Sequence, residues 1–361
     1  MKKILFITAH RKDRAPNQRF RFEQYFSFLN QNGFECTLAP LIATVEEDRV
    51  FYAHNPWRKA LLGTKLTLRR LNDIFRSRSF DIIFIAREAY FAGTTFFENQ
   101  LSRGKAKIVF DFDDAIWMDT ISKSNSAFSW LKDGKKTQKI IQIADTVIAG
   151  NEYLATFARP FNENVQVIPT TIDTSLYLPQ RKVNREPTVI GWSGSTSTME
   201  HFQFAVPALK EIKMRFGNRI QFSIIGDGTY QNKDLEIQGL PWKFEEELSD
   251  LQNMDIGLMP LPDDEWTRGK CGLKALQYMS LGIPCIVSPI GVNVEIIRDS
   301  ENGFLASSTR EWVDKISLLI NEVDQRIEMG LLARKTVVEH YSVESQQQKY
   351  LDVFTKLLQV S

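Results

Sequence analysis

Arg268, Gly269, Lys270, Gly272 and Lys274 bring three cations and two glycines to the start of an apolar helical pattern at Leu273. Glycine lets a ligand approach the backbone closely, and the first amides of a helix have no partner within it. Cations beside such a helix start suit a phosphate. Gly282, Ile283 and Pro284 stop the pattern, and Cys285–Val287 reads as a short buried strand. The same residues also fit an ordinary helix–turn–strand unit with solvated cations.

A second group is DFDDAIW at 111–117, with Asp111, Asp113 and Asp114 following an apolar run. An Asp-x-Asp pair can ligate a metal, or supply the nucleophile and metal ligand of a phosphatase. The latter needs a partner lysine and a second acidic loop, and no suitable candidates occur. Asp113 and Asp114 can instead bind hydroxyl groups, one acting as a base, or cap the next helix. Arg87 and Glu88 follow the run DIIFIA and can hold a polar ligand, with Tyr90 and Phe91 stacking on it, or form a rim salt bridge. Arg11, Arg14, Arg19 and Arg21 surround the loop after the first apolar run. They suit a phosphate-bearing ligand or a solvated loop. His10 ends that run as a base, a ligand or a cap.

These residues need a frame that gathers strand ends. Short apolar runs alternate with helical patterns, which predicts parallel α/β architecture. Strands are expected at Lys3–Thr8, Cys36–Leu41, Ile82–Ala86, Ile108–Phe112, Thr146–Ala149 and Val165–Ile168. A second series follows at Thr188–Trp192, Ile220–Ile225, Trp242–Phe244, Asp255–Met259, Cys285–Val287 and Gly303–Ala306. Ser197 and Glu200 have the spacing of a capping box, opening a helix through Phe216. Two helical patterns close the chain, near Thr309–Val323 and Gln325–Val360, with a break at Tyr341. Pro169–Pro187 reads as a linker, rich in charge and poor in periodicity. Ligands of such sheets lie outside the carboxyl ends of the strands, so the polar loops named here share that rim.

A chain of 361 residues exceeds one compact core and predicts two domains. A net charge of +1 gives no global argument for nucleic acid. Cys36, Cys271 and Cys285 lack zinc spacing, and their odd number favours a reducing compartment. The N-terminal apolar run is short for a signal peptide, and no run approaches the ~20 residues of a membrane span. A cytoplasmic protein is expected, soluble or peripheral on the membrane. Residues 51–78 bear on that choice: Arg58, Lys59, Lys65, Arg69, Arg70, Arg76 and Arg78 accompany a single acid, Asp73, among interleaved apolar residues. A basic amphipathic helix of this kind can lie on an anionic membrane or simply pack on the sheet.

Five stretches in order resemble the nucleotide-sugar half of GT-B glycosyltransferases, glycosyltransferase family 4 in particular. They are VIGWSGS at 189–195, FSIIGDG at 222–228, FEEELSDLQNMDIGLMPL at 244–261, GKCGLKALQYMSLGIPCIVSPIGVNVEII at 269–297 and ENGFLA at 301–306. ILFITA at 4–9, RFRFEQYFSFLNQNGFECTL at 19–38 and ADTVIAGNEYLA at 144–155 look like the acceptor half. The resemblance implies two Rossmann-like parallel-sheet domains facing a cleft. Residues 1–168 would bind acceptor, 169–187 link, 188–340 bind the nucleotide sugar, and 341–361 form a helix crossing back.

The implied reaction is transfer of a sugar from a nucleoside diphosphate, UDP or GDP, to a saccharide or lipid-linked acceptor. It would be a retaining reaction without metal or cofactor, in surface polysaccharide or glycolipid synthesis. Donor-site residues by this resemblance are Gly191, Ser193, Gly194 and Ser195, then Gly226, Asp227 and Trp242. Arg268, Lys270, Gly272, Leu273, Lys274 and Gln277 complete the set, with Gly272 and Leu273 acting through backbone amides. His10, Arg19, Arg21, Arg87 and Glu88 would meet the acceptor. Asp113, Asp114, Lys270 and Lys274 would act in the chemistry. The family's usual pair of glutamates is replaced here by Gly269 and Gln277. Other readings are a nucleotide-sugar epimerase on this fold and a non-catalytic partner that binds the nucleotide sugar.

Overall fold

The computed structural model describes residues 1–53, 55–118, 134–180 and 186–359. The chain divides into two compact units, Met1–Pro169 with Gln347–Ser361, and Thr170–Gln346.

The first unit is built on β1 (Lys2–His10), β2 (Phe34–Ile42), β3 (Ile82–Ala86), β4 (Lys107–Phe112), β5 (Thr146–Ala149) and β6 (Val165–Val167). All pair in parallel, in the order β2-β1-β3-β4-β5-β6. β3 is buried throughout, as its unbroken run Ile-Ile-Phe-Ile-Ala requires in a sheet covered on both faces. The order reverses direction at β1 and β3, which parts the loops that follow them. His10, Arg87 and Asp113 therefore leave neighbouring strands at one end of the sheet.

The second unit repeats this logic with β7 (Thr188–Ser193), β8 (Ile220–Gly226), β9 (Gln231–Asn232), β10 (Ile237–Gln238), β11 (Leu240–Pro241), β12 (Ile256–Met259), β13 (Cys285–Val287) and β14 (Phe304–Leu305). The parallel sheet runs β11-β8-β7-β12-β13-β14, with β9 and β10 as a separate antiparallel hairpin. Here the switch lies between β7 and β12. Ile190, Trp192, Ile224, Ile256 and Ile286 supply the sheet side of one core, packed with Phe202, Leu209, Trp312 and Ile316 from the helices.

Three local expectations change. Residues 170–180, expected in the linker, are part of the second unit: Ile172 bridges Ser342, and Arg334 donates to the carbonyls of Thr174 and Tyr177. Trp242–Phe244 is not a strand, because the Lys243 carbonyl accepts from the amides of Glu246 and Glu247 and starts a helical turn. The helix predicted from Ser197 to Phe216 is broken. Ser195, rather than Ser197, forms the cap with Thr198, a short helix spans Met199–Phe202, and a new one begins at Val206. Pro207 lacks an amide hydrogen, so it fits the first turn of a helix and not its middle.

Candidate functional site

The candidate site of the second unit begins with two strand ends held unusually close. A Cβ on Gly226, whose φ is +134°, would lie 2.2 Å from the Gly194 carbonyl oxygen. A Cβ on Gly194 would lie 2.3 Å from the Trp192 ring. Only glycine lets the β7 and β8 loops meet backbone to backbone. The Ser193 amide donates to the Tyr278 hydroxyl at 2.8 Å, tying the end of β7 to the helix Leu273–Ser280.

That helix starts at Gly272 in left-handed geometry, φ +69°, with Ile296 Cδ1 2.4 Å from where a Cβ would be. A Cβ on Gly291 would likewise lie 2.7 Å from the Arg268 carbonyl oxygen. The cation loop is thus pinned from behind. The Leu276 amide donates to the Gly272 carbonyl at 3.1 Å, and the amides of Leu273, Lys274 and Ala275 precede this first bond of the ladder.

Above the helix start, cations lie on aromatic faces. Lys270 Nζ is 3.6 Å from the centre of the Trp266 ring, and Lys274 Nζ is 4.6 Å from that of Trp192. Among the described residues Lys274 forms no salt bridge. Burial, with Lys270 beside it, pushes the Lys274 ammonium down to about 7. His201 also lies against Trp266, ring centres 5.5 Å apart. It is buried, and burial lowers it to about 4, with Lys274 and Lys270 acting in the same sense against Asp264. Lys274, held on a π-face and in no salt bridge among the described residues, retains most of its attraction for an incoming anion.

Beside this cluster is a buried polar network. Glu247 accepts from the Trp242 indole at 3.1 Å, the Tyr177 hydroxyl at 3.2 Å and the Gln277 amide nitrogen at 3.3 Å. Gln277 also donates to the Tyr177 hydroxyl at 3.3 Å.

The predicted donor residues separate accordingly. Ser193, Gly194, Gly226, Gly272, Leu273 and Lys274 line the strand ends and helix start, with Lys270 on Trp266. Gln277 and Trp242 join the Glu247 network. Gly191 is a packing glycine within β7: a Cβ there would lie 2.0 Å from Met254 Sδ. Asp227 caps its own turn, its Oδ1 accepting from the Thr229 amide at 2.8 Å and hydroxyl at 2.6 Å. Ser195 is occupied in its own cap. Arg268 points to Asp263 at 2.9 Å, half exposed. His201, Trp192 and Glu247 were not anticipated. A signal existed for Trp266 alone, four positions before Lys270 and hence on the same side of one helical turn.

In the first unit, Arg87, with φ +64°, reaches Asp113 through Nε and Nη2, both at 2.6 Å, and Asp114 at 3.8 Å. The structure therefore brings three predicted residues together. Glu88 does not pair with Arg87; it accepts from Lys136 at 2.8 Å. Arg21 is a correction: it is wholly buried, 2.6 Å from Asp111, and donates to the Ile168 carbonyl. A side chain with no exposure cannot bind an acceptor. Arg19 is half-buried over the Phe20 ring at 4.8 Å. His10 sits 3.8 Å from Asp48, and burial lowers it to about 4. Arg11 and Arg14 also converge on Asp48, at 3.3 Å and 2.6 Å, and so are held at the strand end.

Residues 187–322 match the family model for glycosyl transferases group 1. The second unit is a group 1 glycosyltransferase domain. Over 86 residues the chain is 30% identical to trehalose synthase from Pyrococcus horikoshii, a match spanning 24% of this chain and 21% of that one. The fold is GT-B, shared along the whole chain with solved glycosyltransferases. Sucrose-phosphate synthase from Thermosynechococcus elongatus superposes with a TM-score of 0.71 at 11% identity, covering 100% of both chains. A glycosyltransferase from Rickettsia africae gives 0.69 at 14%, covering 100% of this chain and 99% of that one. HepE from Anabaena, solved with UDP, gives 0.64 at 13%, covering 99% and 100%. In this glycosyltransferase domain the matched residues include both glycine-to-glycine strand ends and the cation loop.

Proposed function

We propose that the protein transfers a sugar from a nucleoside diphosphate to a saccharide or lipid-linked acceptor with retention of anomeric configuration. Lys270 and Lys274 at the start of the Leu273–Ser280 helix carry this reading. The diphosphate gains charge as the glycosidic bond breaks, and cations and helix-start amides placed beforehand stabilise that charge. The glycines at 194 and 226 bring the ends of β7 and β8 together beside that helix start. In this reading the diphosphate charge is met by protein groups and needs no metal. UDP is the favoured nucleotide, since HepE was solved with UDP, with UDP and glucose, and with UDP-glucose. Asp113 and Asp114, held by Arg87, belong to the acceptor half of the reaction. Acceptors of this class occur in surface polysaccharide and glycolipid synthesis, on the cytoplasmic side of a membrane.

Thermal shift with UDP, GDP, ADP and CMP tests the donor site, since a ligand at a hundred times its dissociation constant adds about 2.7 kcal/mol. UDP should raise the melting temperature most. Lys270→Ala with Lys274→Ala should remove that rise and cut turnover about a hundredfold or more. No response to any nucleotide would sink the donor site. Nucleotide binding without turnover on any saccharide or lipid acceptor would instead favour a non-catalytic partner, consistent with Gly269 and Gln277 at the usual glutamate positions. A chelator should leave turnover unchanged.

A further inference from the structure

The proposed reaction makes no use of the outer face of the helix Pro56–Ser77, 22 residues long. Its inner face is fixed on the first unit. Leu62 and Leu66 pack with Leu41 and Ile42, and the buried Arg70 donates to the carbonyls of Thr8, Ala39 and Ala89. The outer face carries Trp57, Leu61, Leu68 and Phe75, exposed by 82%, 75%, 62% and 65%. Their spacings of four, seven and seven residues place them within about 40° of one another around the helix, opposite the buried side. The stripe is about 27 Å long.

Cations border it. Arg58, Lys65 and Arg76 lie along one side, and Arg78 covers the Phe75 ring at 5.6 Å. Lys65 and Arg76 reach Glu47 and Asp73 but keep 62% and 46% of their side chains exposed. The helix's single acid, Asp73, is buried. We propose that this face docks on a bilayer surface bearing anionic lipid headgroups. Trp57, Leu61, Leu68 and Phe75 enter the boundary between headgroups and acyl chains, and the flanking cations meet lipid phosphates. A second copy is a poor occupant, because it would oppose these cations with the same cations and no exposed carboxylate on either helix. Among the described residues no helix is long and apolar enough to cross a membrane; the proposed contact is a peripheral one.

Docking needs neither nucleotide nor turnover, so its test is separate from that of the transferase reading. The full chain is sedimented with vesicles of phosphatidylcholine, with and without phosphatidylglycerol. Binding is expected only with phosphatidylglycerol and should weaken with salt. Leu61→Ser, Leu68→Ser and Phe75→Ser together should lower it about tenfold or more, with melting temperature and elution volume unchanged. Arg58→Glu, tested separately, should lower it and flatten the salt dependence. The proposal is overturned if the wild type ignores anionic vesicles, or if the apolar triple variant binds them like the wild type. It is equally overturned if the wild type elutes as a dimer that the triple variant dissociates and vesicles do not bind.

Discussion

Lys274 lies on Trp192 with Lys270 nearby, and burial has brought its ammonium down to about 7. A diphosphate beside it favours the charged form and raises that value again. Below about pH 7 the lysine is already charged and affinity is level on its account. Above about pH 7 binding must take up a proton, so affinity falls with rising pH, by up to about tenfold per unit. Calorimetry at about pH 8 in buffers of different ionisation enthalpy should show that uptake; an affinity that is level above neutrality would remove Lys274 from the phosphate contact. Folding stability runs the other way. Between about 7 and the ordinary 10.5 the unfolded chain holds more protons, so this group's contribution rises with pH through that window. At neutral pH Lys274→Met should therefore melt higher without nucleotide, by about 3 °C, and respond less to UDP. Gly272→Ala tests the loop itself. Left-handed backbone and the nearby Ile296 methyl both oppose a Cβ, so a loss of about 1–3 kcal/mol is expected by denaturant titration, with weaker UDP binding.

At the scale of elements, Arg21 and Asp111 join the segment after β1 to the end of β4 from within the core. Burial pushes the Asp111 carboxyl up, and Arg21 holds it against that. Arg21→Ala leaves a buried carboxylate without its counter-charge and should cost about 3–5 kcal/mol in urea unfolding. Arg21→Met with Asp111→Leu should recover most of that loss. A result near zero for the single variant would mean the pair is not buried in solution. The same pair shows where sequence reading stopped. Strands such as Ile82–Ala86 and Cys285–Val287 were legible because unbroken apolar runs have few other homes. Arginine in a loop, by contrast, has the composition of a surface group, and nothing local reveals that Arg21 will turn inward to an aspartate ninety positions away. The cation loop was legible from Gly272, Lys270 and Lys274 for the same reason the strands were: its chemistry is local. Its aromatic floor was only partly so. Trp266 is one helical turn from Lys270, but Trp192 reaches Lys274 only through sheet topology.

The two units also differ in how each is closed, and this bears on the whole molecule. The helix Val343–Gln359 begins in the second unit, but from Gln347 onward it counts with the first. Tyr350 and Phe354 are buried there: Tyr350 lies 4.5 Å from Tyr25, and Phe354 lies 5.9 Å from Phe34 and 6.2 Å from Phe84. The core of the first unit is therefore completed by residues nearly two hundred positions beyond its last strand. Phe354→Ala should cost that unit about 3–5 kcal/mol, the usual loss for a buried aromatic. The second unit does not use this side chain, so its stabilisation by UDP should survive. Scanning calorimetry with and without UDP separates these effects. The variant should show an earlier transition that UDP leaves in place and a later one that UDP raises. A single transition lowered as a whole and still raised by UDP would mean that the two units unfold together, so that the final helix couples their stabilities as well as completing the first core.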